Sequence, residues 1–300
     1  MSDDDPGVVV CLMGGLGNQF FQLAAGRTVA KERGRQLYVF EKSKVGVTDF
    51  VQFDLPLATK RMVDQLLLDG CNRTSSFGMW LWEVRAPWLR RDPRFFTFRS
   101  EDAYDGREDP RLFGHRGLLG MFGWFQHQRW YEPVLSEILD ALRRSIASVV
   151  RPEERTFSEE LGDFTVVSLR RGDYVRHGFE LPIGYYESAL DTLPKTEGAL
   201  VLLSDDDLVT ETAGPWFKAK GFDVIPESVL GDRSRHRDLA LLADASQVVM
   251  SNSTFCWWGT VLGDESDERE NRARFVVAPR DWITEYPTSH TLLRPRWLAV

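Results

Sequence analysis

Residues 165–174 read Thr-Val-Val-Ser-Leu-Arg-Arg-Gly-Asp-Tyr. An apolar run that suits a buried strand ends in two adjacent cations, Arg170 and Arg171. Charges at such a place must be met by an internal carboxylate or by an anionic ligand. A guanidinium stays charged when partly buried and can grip a diphosphate bidentately. The plainer reading pairs one or both arginines with Asp173 or another acid as a structural bridge. The two also combine, with one arginine on the ligand and the other holding the loop.

Three more segments carry polar groups just after apolar runs. Gly14-Gly15-Leu16-Gly17-Asn18-Gln19 follows Val8–Met13. Glycines between a strand and a helix let backbone N–H groups approach an anion, and the Asn18 and Gln19 amides both donate and accept. A phosphate loop of the Gly-Lys-Ser/Thr kind is absent. Phe20 stands where a dinucleotide fingerprint needs Gly or Ala, although Glu41 is placed to read a ribose. A tight turn with a capping Asn fits equally well. Asp205-Asp206-Asp207, after Leu202-Leu203-Ser204, suits a ribose or purine contact, a metal-binding Asp-x-Asp, or a helix cap. Ser251-Asn252-Ser253-Thr254 caps a helix and leaves hydroxyls for a phosphate. The Phe255, Trp257 and Trp258 that follow suit core packing better than a sugar platform. The five histidines have no metal-ligand spacing, and no Ser-His-Asp set can be argued.

Strands and helices must position these groups. A strand at 8–13, a helix at 19–33 and a strand at 37–40 make a βαβ opening. Gly34 stops the helix. A helix is expected near 58–69 and a strand at 118–124. Leu135, Ile138, Leu139, Leu142, Ile146 and Val149 mark one apolar helix face. The charged stretch 151–160 reads as a linker, dividing the chain into lobes at 1–155 and 156–300. Strands at 165–169, 199–203, 222–225, 247–250 and 275–278 alternate with helices near 183–193, 207–220, 235–245 and 255–263. That is a doubly wound α/β pattern with a mostly parallel sheet. The four polar segments then sit at strand ends, where such folds bind ligands, and together they fit a nucleotide diphosphate.

Bulk properties narrow the class. The 300 residues carry a net charge of −8 and 43% apolar residues, which argues against nucleic acid as the main partner. The acidic N-terminus lacks signal-peptide features, and no apolar run reaches the roughly 18 residues that span a bilayer. Cys11, Cys71 and Cys256 are odd in number and far apart, as in reduced cytoplasmic proteins.

The ordered motifs Gly-Gly-Leu-Gly-Asn-Gln-Phe-Phe-Gln, Leu-Arg-Arg-Gly-Asp-Tyr, Leu-Ser-Asp-Asp and Asn-Ser-Thr-Phe-Cys-Trp-Trp-Gly resemble the α-1,2-fucosyltransferases of the bacterial glycosyltransferase family 11 type. Trp124-Phe125-Gln126, Gly184-Tyr185-Tyr186 and Val277–Trp282 echo the same family. The resemblance implies a GT-B-like α/β fold with two Rossmann-like lobes. It implies inverting transfer from GDP-β-L-fucose to a galactose 2-hydroxyl on a glycan, lipid-linked in some settings, with no metal and no cofactor. It implies a cytoplasmic enzyme, or one peripheral at the inner membrane face. Arg170 would meet the donor phosphates, with Gly15, Gly17, Asn18, Gln19, Asn252, Ser253 and Thr254. Asp205 and Asp206 would read the ribose or guanine. Asp173 would be the base or would orient an arginine. Arg171 and Ser168 would support the loop. The family's arginine motif usually reads His-x-Arg-Arg-x-Asp, and Ser168 takes the histidine's place here. Alternatives are another GDP-sugar transferase, a metal-dependent transferase using Asp205 and Asp207, a nicotinamide oxidoreductase, and a GDP-sugar binding protein without turnover.

Overall fold

The computed structural model describes residues 7–42, 46, 47, 51, 55–66, 95–100, 110–150, 161–194, 199–206, 209–226, 229, 234–270, 274–282 and 292–300. It divides into two compact units, Met1–Ile138 and Leu139–Val300. The expected linker at 151–160 and Asp207 lie outside the described residues.

The first unit is built on a parallel four-stranded sheet of order β2-β1-β4-β3. Its strands are β1 (Val8–Leu12), β2 (Leu37–Glu41), β3 (Phe95–Ser100) and β4 (Leu118–Gly123). Every residue of β1 is buried, as expected for a central parallel strand covered on both faces. Helix α1 (Leu16–Arg33) packs on it and stops at Gly34, whose φ of 58° closes a left-handed cap. Gly26 is where helix and strand approach most closely. A Cβ added there would lie 2.8 Å from Val10 Cβ. Helices α2 (Lys60–Gln65), α3 (Arg111–Gly114) and α4 (Gln128–Tyr131) follow. Arg33, on the last turn of α1, donates to the carbonyls of Leu112, His115 and Gly117 and so ties down the segment leading into β4. Helix α5 (Leu135–Val149) spans the division between the units in sequence.

The second unit has a six-stranded parallel sheet of order β10-β9-β8-β5-β6-β7. The strands are β5 (Thr165–Leu169), β6 (Ala199–Ser204), β7 (Asp223–Val224), β8 (Gln247–Val249), β9 (Phe275–Ala278) and β10 (Leu298–Ala299). The helices are α6 (Gly172–His177), α7 (Ile183–Thr192), α8 (Val209–Thr212), α9 (Gly214–Ala219), α10 (Arg235–Asp244) and α11 (Thr254–Glu270). The single helix expected near 207–220 is two short ones, because Gly214-Pro215 restarts the chain as α9. No described helix is long and apolar enough to cross a membrane.

Strand order locates the crevices. From β5 the chain builds outward through β6 and β7, then returns to place β8 on the other side of β5. In the first unit β2 lies on one side of β1 and β4 on the other. A doubly wound sheet binds ligands beyond the strand ends at such a reversal. The β5–β8 reversal carries Arg170 and Ser251–Thr254. The β1–β4 reversal carries the glycine loop and Trp124–Gln126.

Gly26→Ala should destabilise the chain by about 1–3 kcal/mol, because the added methyl overpacks the contact between α1 and β1. Urea unfolding checks this, and an unchanged midpoint would contradict the packing described.

Candidate functional site

The site in the second unit begins where β5 ends. Arg170 Nη2 donates to Asp173 Oδ1 at 2.6 Å, and its Nη1 lies 2.9 Å from Asp205 Oδ2. The backbone N–H of Arg171 donates to Asp205 Oδ1 at 2.9 Å. One carboxylate from the end of β6 therefore fixes both the Arg170 side chain and the Arg171 main chain. Gly172 permits this, since a Cβ there would lie 2.1 Å from Asp205 Oδ2. Arg171 turns to other acids, with Nη1 at 2.9 Å from Glu180 Oε1 and Nε at 3.2 Å from Asp206 Oδ2. The two arginines thus differ in environment.

Asp205, read from the sequence as a ribose or guanine contact, is here the anchor of the arginine loop. Both of its oxygens are engaged by the arginine loop. Asp206 likewise faces Arg171, while its N–H donates to Ser204 Oγ at 3.1 Å. Among the described residues no group of three or more His, Cys, Asp or Glu is arranged to hold a metal ion.

Tyr174 supports Arg170 from the side. The guanidinium carbon lies 5.1 Å from the centre of the Tyr174 ring. Burial pushes the phenol above its ordinary range, with Asp173 and Asp205 adding to the rise and Arg170 opposing it. It stays protonated, and its hydroxyl donates to the Asn252 carbonyl at 3.2 Å.

Beneath these groups lies a buried polar layer. The Ser168 and Ser251 hydroxyls are 2.9 Å apart, bridging the ends of β5 and β8. The Tyr186 hydroxyl donates to the Ser168 carbonyl at 3.3 Å, and that of Tyr185 to the Met250 carbonyl at 2.6 Å. Burial pushes the Cys256 thiol up, with Ser168 and Thr260 pulling the other way. A buried thiol kept protonated is no nucleophile. Ser168 is thus a support inside the protein.

Asn252 is 2% exposed, and its Nδ2 donates to the carbonyls of Phe179 and Trp282, so it ties two loops together. Ser253 Oγ accepts from the Cys256 N–H at 3.4 Å, the expected cap of α11. Thr254 opens that helix and is half-buried. Trp257 and Trp258 are fully buried, so their packing role holds.

In the first unit, Gly14 has a φ of 76° and Gly15 precedes α1 in an extended conformation, with no side chain capping the helix. Asn18 is therefore not the cap. Its Oδ1 accepts from Gln126 Nε2 at 2.9 Å. Gln19 is corrected from ligand to brace. It is 1% exposed, its Nε2 donates to the Gly14 carbonyl, and its Oε1 accepts from the Val47 N–H. Gln22 Oε1 accepts from the Met13 N–H at 2.8 Å and braces the same turn. Gly17 is buried at the first turn of α1. Sequence reading passed over Gln22, Glu180 and Tyr174. Tyr174 was the one visible in advance, since it stands beside Asp173 in the arginine motif.

Residues 119–267 match the model of the family described as glycosyl transferase family 11. The chain is similar to the O-antigen biosynthesis glycosyltransferase WbnK of Escherichia coli, at 23% identity over 91% of this chain and 94% of the relative. It is similar to an alpha-1,2-colitosyltransferase of Escherichia coli, at 24% identity over 92% and 98%. It is also similar to the galactoside alpha-(1,2)-fucosyltransferase 1 of Lagothrix lagotricha, at 24% identity over 96% and 73%. Among solved structures it resembles a mutant of Arabidopsis thaliana FUT1 in complex with GDP, with a TM-score of 0.54, 15% identity, and 95% of this chain and 73% of that one covered. The fold is GT-B-like, with a parallel sheet in each lobe, and the chain is a glycosyltransferase whose residues 119–267 match glycosyl transferase family 11.

Proposed function

We propose that the chain transfers L-fucose from GDP-β-L-fucose to the 2-hydroxyl of a galactose-terminated glycan, with inversion and without a metal ion. The observation that carries this reading is the fixed Arg170 guanidinium at the β5–β8 reversal. The names of the relatives support the donor and the linkage.

Transfer breaks the bond between fucose C1 and the β-phosphate oxygen and forms one from C1 to the acceptor oxygen. The sugar becomes oxocarbenium-like, and negative charge grows on the departing phosphate. GDP leaves with the bonding electrons, and the acceptor hydroxyl loses a proton. Growing phosphate charge is best met by donors fixed in advance. A guanidinium has five N–H groups, so those of Arg170 not turned to Asp173 and Asp205 remain to meet a diphosphate. The N-terminus of α11, 17 residues long and opened by Ser253 and Thr254, adds the positive end of a helix dipole at the same reversal.

Asp173 has the orienting role, because its carboxylate is bonded to Arg170. The acceptor proton leaves late, which a cationic transition state permits without a strong base. The occupied carboxylate of Asp205 favours a reading in which the arginine, and not a metal held by Asp205 and Asp207, meets the phosphates. The similarity to a colitosyltransferase supports a second donor of the same class, GDP-colitose.

The test offers GDP-fucose and GDP-colitose in parallel to β-galactosides in EDTA, reading GDP release and product linkage by NMR. An α-1,2-linked fucosyl product is expected. Turnover only with added divalent cations, or only with UDP-sugars, would overturn the proposal. Arg170→Ala should slow transfer by about 10²- to 10³-fold with the fold intact. Near-normal turnover would remove Arg170 from the mechanism. Gly172→Ala should cost about 10²-fold by pushing Asp205 off the guanidinium, while the unfolding midpoint stays close to that of the parent chain. An unimpaired Gly172→Ala enzyme would show that Arg170 does not depend on Asp205.

A further inference from the structure

We propose that Gln126 is a positioning residue that sets which end of the Asn18 amide meets a ligand. The inference rests on the transferase reading, with Asn18 among the ligand-binding groups.

Gln126 belongs to the Trp124-Phe125-Gln126 segment after β4, at the β1–β4 reversal of the first unit. This segment lies against the glycine loop. A Cβ on Gly14 would be 3.1 Å from the Trp124 ring and 3.2 Å from Asn18 Nδ2. Gln126 Nε2 donates to Asn18 Oδ1 at 2.9 Å. With its oxygen engaged there, Asn18 carries its nitrogen over Gly14 as a donor.

Two features indicate that this bond serves more than packing. Gln126 is 4% exposed, and its Oε1 is buried with no partner among the described residues. A buried amide with an unmet acceptor is a poor way to stabilise a core, and an apolar side chain of similar size would do better. Phe125, just before it, has a φ of 55°, in the left-handed region that side chains avoid. Its ring is fully buried against Phe98 and Trp130, with centroids 6.2 and 5.7 Å away. Packing thus holds an unfavourable turn whose result is to deliver Gln126 to Asn18, and such strain concentrates at functional sites.

Chemistry gives a specific test. A carboxylate accepts but does not donate. In Gln126→Glu with the carboxyl ionised, Asn18 turns its nitrogen toward residue 126 and presents its oxygen instead. Gln126→Met removes the bond without burying a charge. With GDP-fucose and a β-galactoside, Asn18→Ala and Gln126→Glu should each lower kcat/KM by about 10- to 100-fold, and Gln126→Met by less. Combining Gln126→Met with Asn18→Ala should cost no more than Asn18→Ala alone, because one residue acts through the other. Apart from turnover, the Asn18 side-chain NH2 signal of ¹⁵N-labelled protein, assigned by its loss in Asn18→Ala, should move in both Gln126 variants. Impaired Asn18→Ala beside unimpaired Gln126 variants, additive losses in the double variant, or an unmoved NH2 signal would overturn the positioning role alone. A fully active Asn18→Ala enzyme would instead remove the glycine loop from the site, and the positioning role with it.

Discussion

The Asp205 carboxylate is the constraint around which the second unit's site is arranged. It accepts from the Arg171 main chain with one oxygen and faces the Arg170 guanidinium with the other. Because the backbone and the side chain share one anchor, the guanidinium cannot swing without disturbing the turn that follows β5. Residue 172 must then be glycine, for the carboxylate occupies the space of a side chain. These ion pairs are partly exposed, so their worth lies in geometry more than in stability. Two guanidinium groups face four carboxylates, those of Asp173, Asp205, Asp206 and Glu180. An incoming diphosphate therefore meets no excess of cations. Its binding depends on the direction of the remaining N–H groups, and direction is what Asp205 fixes.

The layer below keeps that direction. Ser168, Ser251 and the Tyr185 and Tyr186 hydroxyls join the ends of β5 and β8 by hydrogen bonds in a buried region. Asn252 ties this junction to the carbonyls of Phe179 and Trp282. A histidine in place of Ser168 would bring a larger ring into this space beside Ser251. The serine instead satisfies itself with its neighbour's hydroxyl. The motif's departure at this position is thus absorbed by the protein's interior, one step removed from the arginine.

The chemistry-bearing strand ends were legible because buried parallel strands leave continuous apolar runs, and the polar residues after them stand out. Strands of the second unit fall close to their expected places for that reason. Strand β10 has only two residues, and α6 buries none of its own, so neither leaves a periodic signal. Helix α11 continues well beyond its expected end at 263, where its sequence turns acidic and the apolar spacing that marks a helix fades. Individual site roles were harder to read. Gln19 and Asn252 look like ligand groups in a linear motif, yet their partners are Val47, Phe179 and Trp282. Only the folded chain brings such distant carbonyls and N–H groups to an amide. The arginine pair shows the opposite case, since the need for a counter-charge, carboxylate or anionic ligand, was plain from the sequence while the choice of Asp205, from the next strand, was not.

The two reversals hold their loops by different chemistry. At the β5–β8 reversal, charge holds charge, and the groups engaged are guanidinium and carboxylate. At the β1–β4 reversal, Gln19, Gln22 and Gln126 hold the glycine loop through neutral amides. Amides orient a donor or acceptor without placing a field on the ligand, which suits a sugar hydroxyl or a ring oxygen. A guanidinium held by acids suits a phosphate, whose charge grows as the glycosidic bond breaks. On the proposed reaction, fields belong where charge develops, at the leaving group, and neutral hydrogen bonds belong where selection depends on hydroxyl position. A cation near the acceptor oxygen would lower its nucleophilicity, which a loop held by neutral amides avoids.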